Sequence, residues 1–154
     1  RLDFFYEDGR TFLNRNNKKY DIIYADAFNS RFSVPFQLTT IEAVSLMNIS
    51  LNDNGAVIAN IISKFNNENN HFLRAEIATY KEVFENVYVF HVGSEDVNEI
   101  QNFIIVGSKK SIDLSSDDVE INNFLKKNVS EKFDMLPIFT DDKAPVEFYM
   151  NKMH

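Results

Sequence analysis

Hydrophobic and polar positions switch between two periods along this chain, and the switches mark its elements. Leu2-Asp3-Phe4-Phe5-Tyr6-Glu7 is a short aromatic-rich run closed by Asp8-Gly9, a turn pair whose glycine tolerates positive φ, so a strand is predicted over Leu2–Glu7. A loop or helix start follows. Tyr20–Ala25 is a second apolar run, and it ends at Asp26, which puts a carboxylate at the C-terminal end of a predicted strand. The stretch Phe28–Leu38, with Pro35 inside it, reads as a loop. Thr39 then stands three residues before Glu42, the spacing of a reciprocal N-terminal cap, and a helix is predicted to start there. On that helix Ile41, Val44, Met47 and Leu51 fall within about 120° of one another, a one-sided stripe suited to packing on a sheet.

Asn52-Asp53-Asn54-Gly55 is a turn cluster predicted to end this helix, and Ala56–Ile62 after it reads as a strand buried on both faces, the mark of a parallel sheet. Lys64–Asn70 is a polar loop. Leu73, Ile77, Tyr80 and Phe84 repeat at helical spacing. Val87–Val92 and Asn102–Val106 are further strands, separated by Gly93–Gln101, a loop too short to hold the crossover helix that parallel pairing needs. They are predicted to pair antiparallel. A last helix is predicted over Glu120–Asn128, where Ile121, Phe124 and Leu125 share a face, ahead of the tail Leu136–Met150. No repeat or linker divides residues 1–154, so one domain is expected. Alternation of this kind predicts α/β layering on a mostly parallel sheet that finishes in an antiparallel strand pair. In such sheets ligands lie beyond the carboxyl ends of the strands, where Asp8 and Asp26 are predicted to sit.

Composition narrows the chemistry. The 154 residues carry 16 Lys+Arg against 23 Asp+Glu, a net charge of −7, with no basic block longer than a pair. Nucleic-acid binding, which depends on clustered positive charge, is therefore not expected, and a cationic ligand suits the surface better. With 15 Phe and 6 Tyr the chain can bury a sizeable core. Zero cysteines exclude disulfides, thiolate metal sites and Cys nucleophiles. His71, His91 and His154 show no ligand spacing, so no metal is expected. There is no Gly-x-Ser-x-Gly, phosphate loop or dinucleotide fingerprint, which sets hydrolase and nucleoside-triphosphatase chemistry aside. No apolar run approaches a membrane span and the N-terminus lacks a signal-peptide layout, so no membrane contact is expected of this segment and the cytoplasm is the default compartment. A chain that passes from Arg1 straight into an apolar run is read as a fragment.

Three runs resemble a known family. Tyr6-Glu7-Asp8-Gly9-Arg10-Thr11-Phe12-Leu13, Tyr20–Phe28 and Pro35-Phe36-Gln37-Leu38-Thr39-Thr40-Ile41-Glu42 resemble, in order and spacing, the spermidine synthase (polyamine aminopropyltransferase) family. The Asp26-Ala27-Phe28 run and the tail Phe139–Glu147 are most similar to the branch often fused to membrane transporter-like segments. The resemblance implies a Rossmann-like class I methyltransferase fold and transfer of an aminopropyl group from decarboxylated S-adenosylmethionine to putrescine or a similar amine. It implies Asp26 as the acidic group that holds the amine and takes its proton, with Tyr24 lining the amine pocket. Asp8 with Gly9 falls where the fold contacts the adenine of the donor. The acidic tail residues Asp141, Asp142 and Glu147 are candidates for attracting a polyamine.

Two departures accompany the resemblance. The glycine-rich nucleoside loop and the ribose-binding acidic residue belong to strands ahead of Asp8, and this chain contains neither. In the family's sheet order these strands lie between Leu2–Glu7 and Tyr20–Ala25. The chain alone is therefore expected to be inactive and to offer strand edges that favour a homodimer. Where the family usually has a second aspartate in the gate loop, this chain has Phe28-Asn29-Ser30. Two other readings stay open: a methyltransferase on the same fold using intact S-adenosylmethionine, or a degenerate domain kept for oligomerisation or regulation. A membrane-anchored parent protein is compatible with all three.

Overall fold

A computed structural model describes residues 2–28, 34–64, 71–96, 99–130 and 136–151. Helix α1 (Gly9–Arg15) leads into strand β1 (Tyr20–Phe28), a single turn of tighter helix (Phe36–Leu38), α2 (Ile41–Ile49) and β2 (Leu51–Ser63). Then come α3 (Phe72–Val83), the hairpin strands β3 (Asn86–His91) and β4 (Gln101–Ser108), α4 (Val119–Leu125) and α5 (Val146–Asn151). The sheet order is β1-β2-β4-β3, with β1 parallel to β2 and β4 antiparallel to both its neighbours. Three strands thus point one way and β4, inserted between β2 and β3, points the other. This is the predicted α/β sheet with its antiparallel finish.

The core lies between the sheet and the α2–α3 layer. Val44 and Met47 of α2, and Leu73, Ile77 and Tyr80 of α3, meet Val57, Ala59 and Ile61 of β2 and Phe103 and Ile105 of β4, all buried. Each buried Val, Leu, Ile, Met or Phe side chain among them stabilises the fold by about 1.5–3 kcal/mol. From the tail, Phe139 enters this core and stacks on Phe72 at 5.9 Å between ring centroids, which fixes the C-terminal segment to the helical layer.

Several local expectations are corrected. Leu2–Glu7 forms no strand: Leu2, Phe4, Phe5 and Tyr6 are exposed, and Phe5 packs on Phe12 of α1 instead. A strand needs a neighbour to satisfy its backbone, and among the described residues β1 is paired on one side only. Ala56–Ile62 is fully buried on one face, while Ile58, Asn60 and Ile62 on the other are half-buried. Asn52–Gly55 is not a helix-ending turn. It bulges within β2, between the pairs Tyr20–Leu51 and Ile22–Ala56. Gly55 is required there, because a Cβ would lie 2.9 Å from the Tyr20 carbonyl oxygen.

The N-cap of α2 is Thr40, whose hydroxyl accepts from the Ala43 N–H at 3.3 Å. Thr39 is taken up by the preceding turn, its hydroxyl donating to the Phe36 carbonyl at 2.8 Å. Leu51, assigned to the helix stripe by periodicity, opens β2. The last predicted helix is shorter than Glu120–Asn128, ending at Leu125, and its Ile121 is half exposed while Phe124 stacks on Phe90. No helix among the described residues is long and apolar enough to cross a membrane.

Candidate active site

Asp26 sits near the C-terminal end of β1, where the ladder is irregular. Ala25 pairs with Ala59 and Phe28 with Ile61, so β1 takes three steps where β2 takes two. One extra residue is accommodated at Asp26-Ala27, a bulge of the kind that re-aims a side chain beside a site. The Asp26 carboxylate accepts a hydrogen bond from Asn60 Nδ2 at 3.0 Å. Asn60 Oδ1 in turn accepts from Asn102 Nδ2 at 2.7 Å. A line of polar side chains therefore crosses β1, β2 and β4 at this end of the sheet. Tyr24, two residues before Asp26 and so on the same strand face by alternation, is exposed. Sequence reasoning missed Asn60 and Asn102, because nothing local distinguishes an asparagine in a strand run from any other half-buried polar residue.

Asp8 occupies a different setting from the predicted strand end. It is the N-cap of α1, its Oδ1 accepting from the backbone N–H groups of Arg10 and Thr11 at 2.9 and 3.1 Å. Its Oδ2 accepts from Gln37 Nε2 at 3.1 Å. The Gln37 contact, followed by the Thr11 N–H, holds the Asp8 carboxyl below the usual carboxylate range. Asp8 is thereby tied to the loop that follows β1. Gly9 and Asp26 also line one groove of about 420 Å³ along the β1 edge, whose other walls include Phe12, Ile22, Tyr24, Leu38 and Met47.

The tail closes on the same region through Arg10. Its guanidinium forms a fork to Asp141, Nη1 to Oδ1 at 3.1 Å and Nη2 to Oδ2 at 2.6 Å, and also donates to the Gln37 carbonyl and the Thr40 hydroxyl at 3.1 Å each. Thr40 donates to Asp141 Oδ1 at 2.6 Å, and the Asp141 backbone N–H donates to Glu42 Oε2 at 3.0 Å. The Thr40 hydrogen bond, and then the Arg10 contacts, hold the Asp141 carboxyl below the usual carboxylate range. Asp142 and Glu147 are exposed. Of the candidates, then, Asp8, Gly9 and Asp141 converge at the start of α1 and Asp26 with Tyr24 at the end of β1. Residues 29–30, in the run that stands where the resembled family usually has a gate-loop aspartate, lie outside the described residues.

Among the described residues no three His, Cys, Asp or Glu side chains converge as a metal cluster would. The most unusual carboxyl lies away from this region. Glu76 of α3 is fully buried with neither oxygen hydrogen-bonded to a described residue, and burial pushes its carboxyl well above the usual range.

A strand-helix alternation closed by an inserted antiparallel strand is the pattern of the class I methyltransferase-like α/β folds. No family model matches the chain. It is 28% identical to the "probable polyamine aminopropyl transferase" of Bifidobacterium longum, in an alignment covering 91% of this chain and 36% of that protein. Its structure superposes on a "probable spermidine synthase" from Corynebacterium glutamicum with a TM-score of 0.61 at 23% identity, over 79% of this chain and 42% of that one. Human methyltransferase-like protein 13, solved with SAH, superposes with a TM-score of 0.55 at 17% identity, over 78% and 55%. In sequence the chain resembles a polyamine aminopropyl transferase and in fold a spermidine synthase, and it spans about a third of the curated relative it matches.

Proposed function

We propose that this chain supplies the acceptor side of an aminopropyltransferase, with Asp26 as the group that binds the amine and removes its proton. The observation that carries the reading is the setting of Asp26: a carboxylate on a bulge near the C-terminal end of a parallel strand, held from β2 by Asn60. The donor is decarboxylated S-adenosylmethionine. In the reaction the amine nitrogen bonds to the propyl carbon attached to the sulfonium, the carbon–sulfur bond breaks, and its electron pair stays on sulfur as a neutral thioether. The leaving group needs no acid, whereas the nucleophile must lose a proton, so one well-placed carboxylate suffices.

The donor nucleoside would lie toward the start of α1, with Asp8 Oδ2 accepting from the adenine amino group. That oxygen already accepts from Gln37, and a carboxylate oxygen has a second lone-pair direction to share. Tyr24 lines the amine pocket. Asp142 and Glu147 add long-range attraction for a polycation, while Asp141 is committed to Arg10. Transfer to putrescine or a related diamine, a cytoplasmic setting and a homodimeric intact protein belong to the same proposal. The test is Asp26→Asn in the intact protein, assayed with decarboxylated S-adenosylmethionine and a panel of amines. Turnover is expected to collapse while nucleoside binding is kept. Near-normal turnover with every amine would favour methyl transfer or a non-catalytic domain.

A further inference from the structure

We infer that Asn60, backed by Asn102, is a positioning residue for the Asp26 carboxylate; the inference rests on the reading of Asp26 as the base. An ionised carboxylate only accepts hydrogen bonds, so the atom that Asn60 turns toward Asp26 must be its NH₂ group. This leaves Asn60 Oδ1 facing away, and the atom that meets it from Asn102 at 2.7 Å must again be an NH₂ group. Each amide thus fixes the orientation of the next, and the direction of the line is set by the charge at its end.

The line is built on strands rather than loops. Asn60 follows Ala59, the ladder partner of Ala25, and Asn102 is paired with Ile62, two residues beyond Asn60 on β2. Asn60 pairs with Ile104 and Asn102 with Ile62 in the unbroken β2–β4 ladder, whereas Asp26 lies where the register between β1 and β2 shifts. A base on an irregular segment needs its carboxylate fixed by something more rigid, and side chains on flanking strands supply that. The alternative is that the asparagines merely satisfy one another on a half-covered sheet face.

A double-mutant cycle in the intact protein separates the two. Asn60→Ala is expected to lower kcat about 10–100-fold, the cost of a modest misplacement of a reacting group, with the KM for the nucleoside donor unchanged. In an Asp26→Asn background the same substitution should change turnover less than about twofold, because a residue that acts through Asp26 has nothing left to position. Asn60→Gln, which keeps the donor one methylene further out, should recover part of the loss. Asn102→Leu offers a second probe that leaves Asn60 in place, and it should show a smaller kcat loss that also vanishes without Asp26. An equal loss in both backgrounds, or no loss in the native one, overturns the positioning role while leaving the base assignment standing. Normal turnover of Asp26→Asn alone removes the base assignment and the positioning role with it.

Discussion

The end of β1 and the start of α1 each hold a carboxylate, and they hold it by different chemistry. At the end of β1 an amide from β2 donates to Asp26; at the start of α1 the Arg10 guanidinium grips Asp141 through both oxygens. An amide orients a carboxylate and brings no charge, whereas a guanidinium orients it and cancels its charge. The Asn60 contact by itself orients Asp26 without neutralising it. The guanidinium fork suits a clasp between distant segments, and here it joins α1, the N-cap of α2 and the tail. Acidic residues that look equivalent in sequence thus differ in the groups that hold them.

The hardest test of this contrast is Asp26→Asn. The substitution keeps shape but removes the negative charge and the basic oxygen, and general-base contributions of about 10²–10⁴ in rate are typical. A loss of that size in aminopropyl transfer, measured in the intact protein, is expected. If the loss stays below about threefold, the end of β1 is as structural as the start of α1 and the contrast breaks.

A carboxyl with neither kind of partner sharpens the comparison. Glu76 is fully buried, as is Tyr80 one turn on, and neither its oxygens nor the Tyr80 hydroxyl finds a described hydrogen-bond partner. Replacing Glu76 by Leu removes a buried unsatisfied polar group and should raise unfolding stability by about 1–3 kcal/mol. The pH dependence has a definite sign. The folded-state pKa is raised by burial, so stability is fully present below the unfolded value and is lost as pH rises toward and through the folded one. Urea unfolding from about pH 5 to about pH 8 should show this decline in the native chain and a flatter profile in Glu76→Leu. A parallel decline in both would mean that Glu76 carries no penalty.

What the sequence made legible follows from where the physics is local. The runs Tyr20–Ala25 and Asn102–Val106 fall in strands, as does Val87–Val92 up to His91, and the spacing of Leu73, Ile77 and Tyr80 falls on the buried face of a helix, because apolar runs and helical periodicity are local signals. Leu2–Glu7 has strand composition without a strand's neighbour, and pairing is not a local property. Asn52–Gly55 carries every turn signal, and these were real, but they are spent on a bulge inside a strand. Thr39 and Thr40 are both plausible caps, and the choice was made by the Phe36–Leu38 turn upstream. Glu76 hid among apolar positions that match a helix stripe without it. Asn60 and Asn102 acquire meaning only once β4 is inserted beside β2, a step that no run of residues announces.

Thr40→Ala tests how firmly the clasp is tied. The hydroxyl caps α2 through the Ala43 N–H and bonds to Asp141, and its loss should cost about 1 kcal/mol in unfolding free energy. Thr40→Ser, which retains the hydroxyl, should recover most of it. Equal destabilisation by both would place the effect in the lost methyl group rather than in the cap.

The smallest expected effect belongs to Asp141→Asn, and it bears most directly on the contrast. The Asp141 side chain is 48% exposed, so its ion pair with Arg10 is screened by water and worth a few tenths of a kcal/mol at most. Because the folded-state pKa is lowered by Thr40 and Arg10, that stability is present above the unfolded pKa and lost as pH falls through the folded one, a window confined to acid below about pH 4. Near neutrality the variant should melt slightly earlier than the native chain, with the difference shrinking in about 0.5 M salt. Acceptor KM in the intact protein should change less than about twofold, since an amine would have to compete with a bidentate guanidinium for the same oxygens. A tenfold rise in acceptor KM would return Asp141 to the amine site. The clasp would then be an arrangement of the amine-free protein that substrate displaces, and Arg10, rather than Asp141, would need a structural explanation.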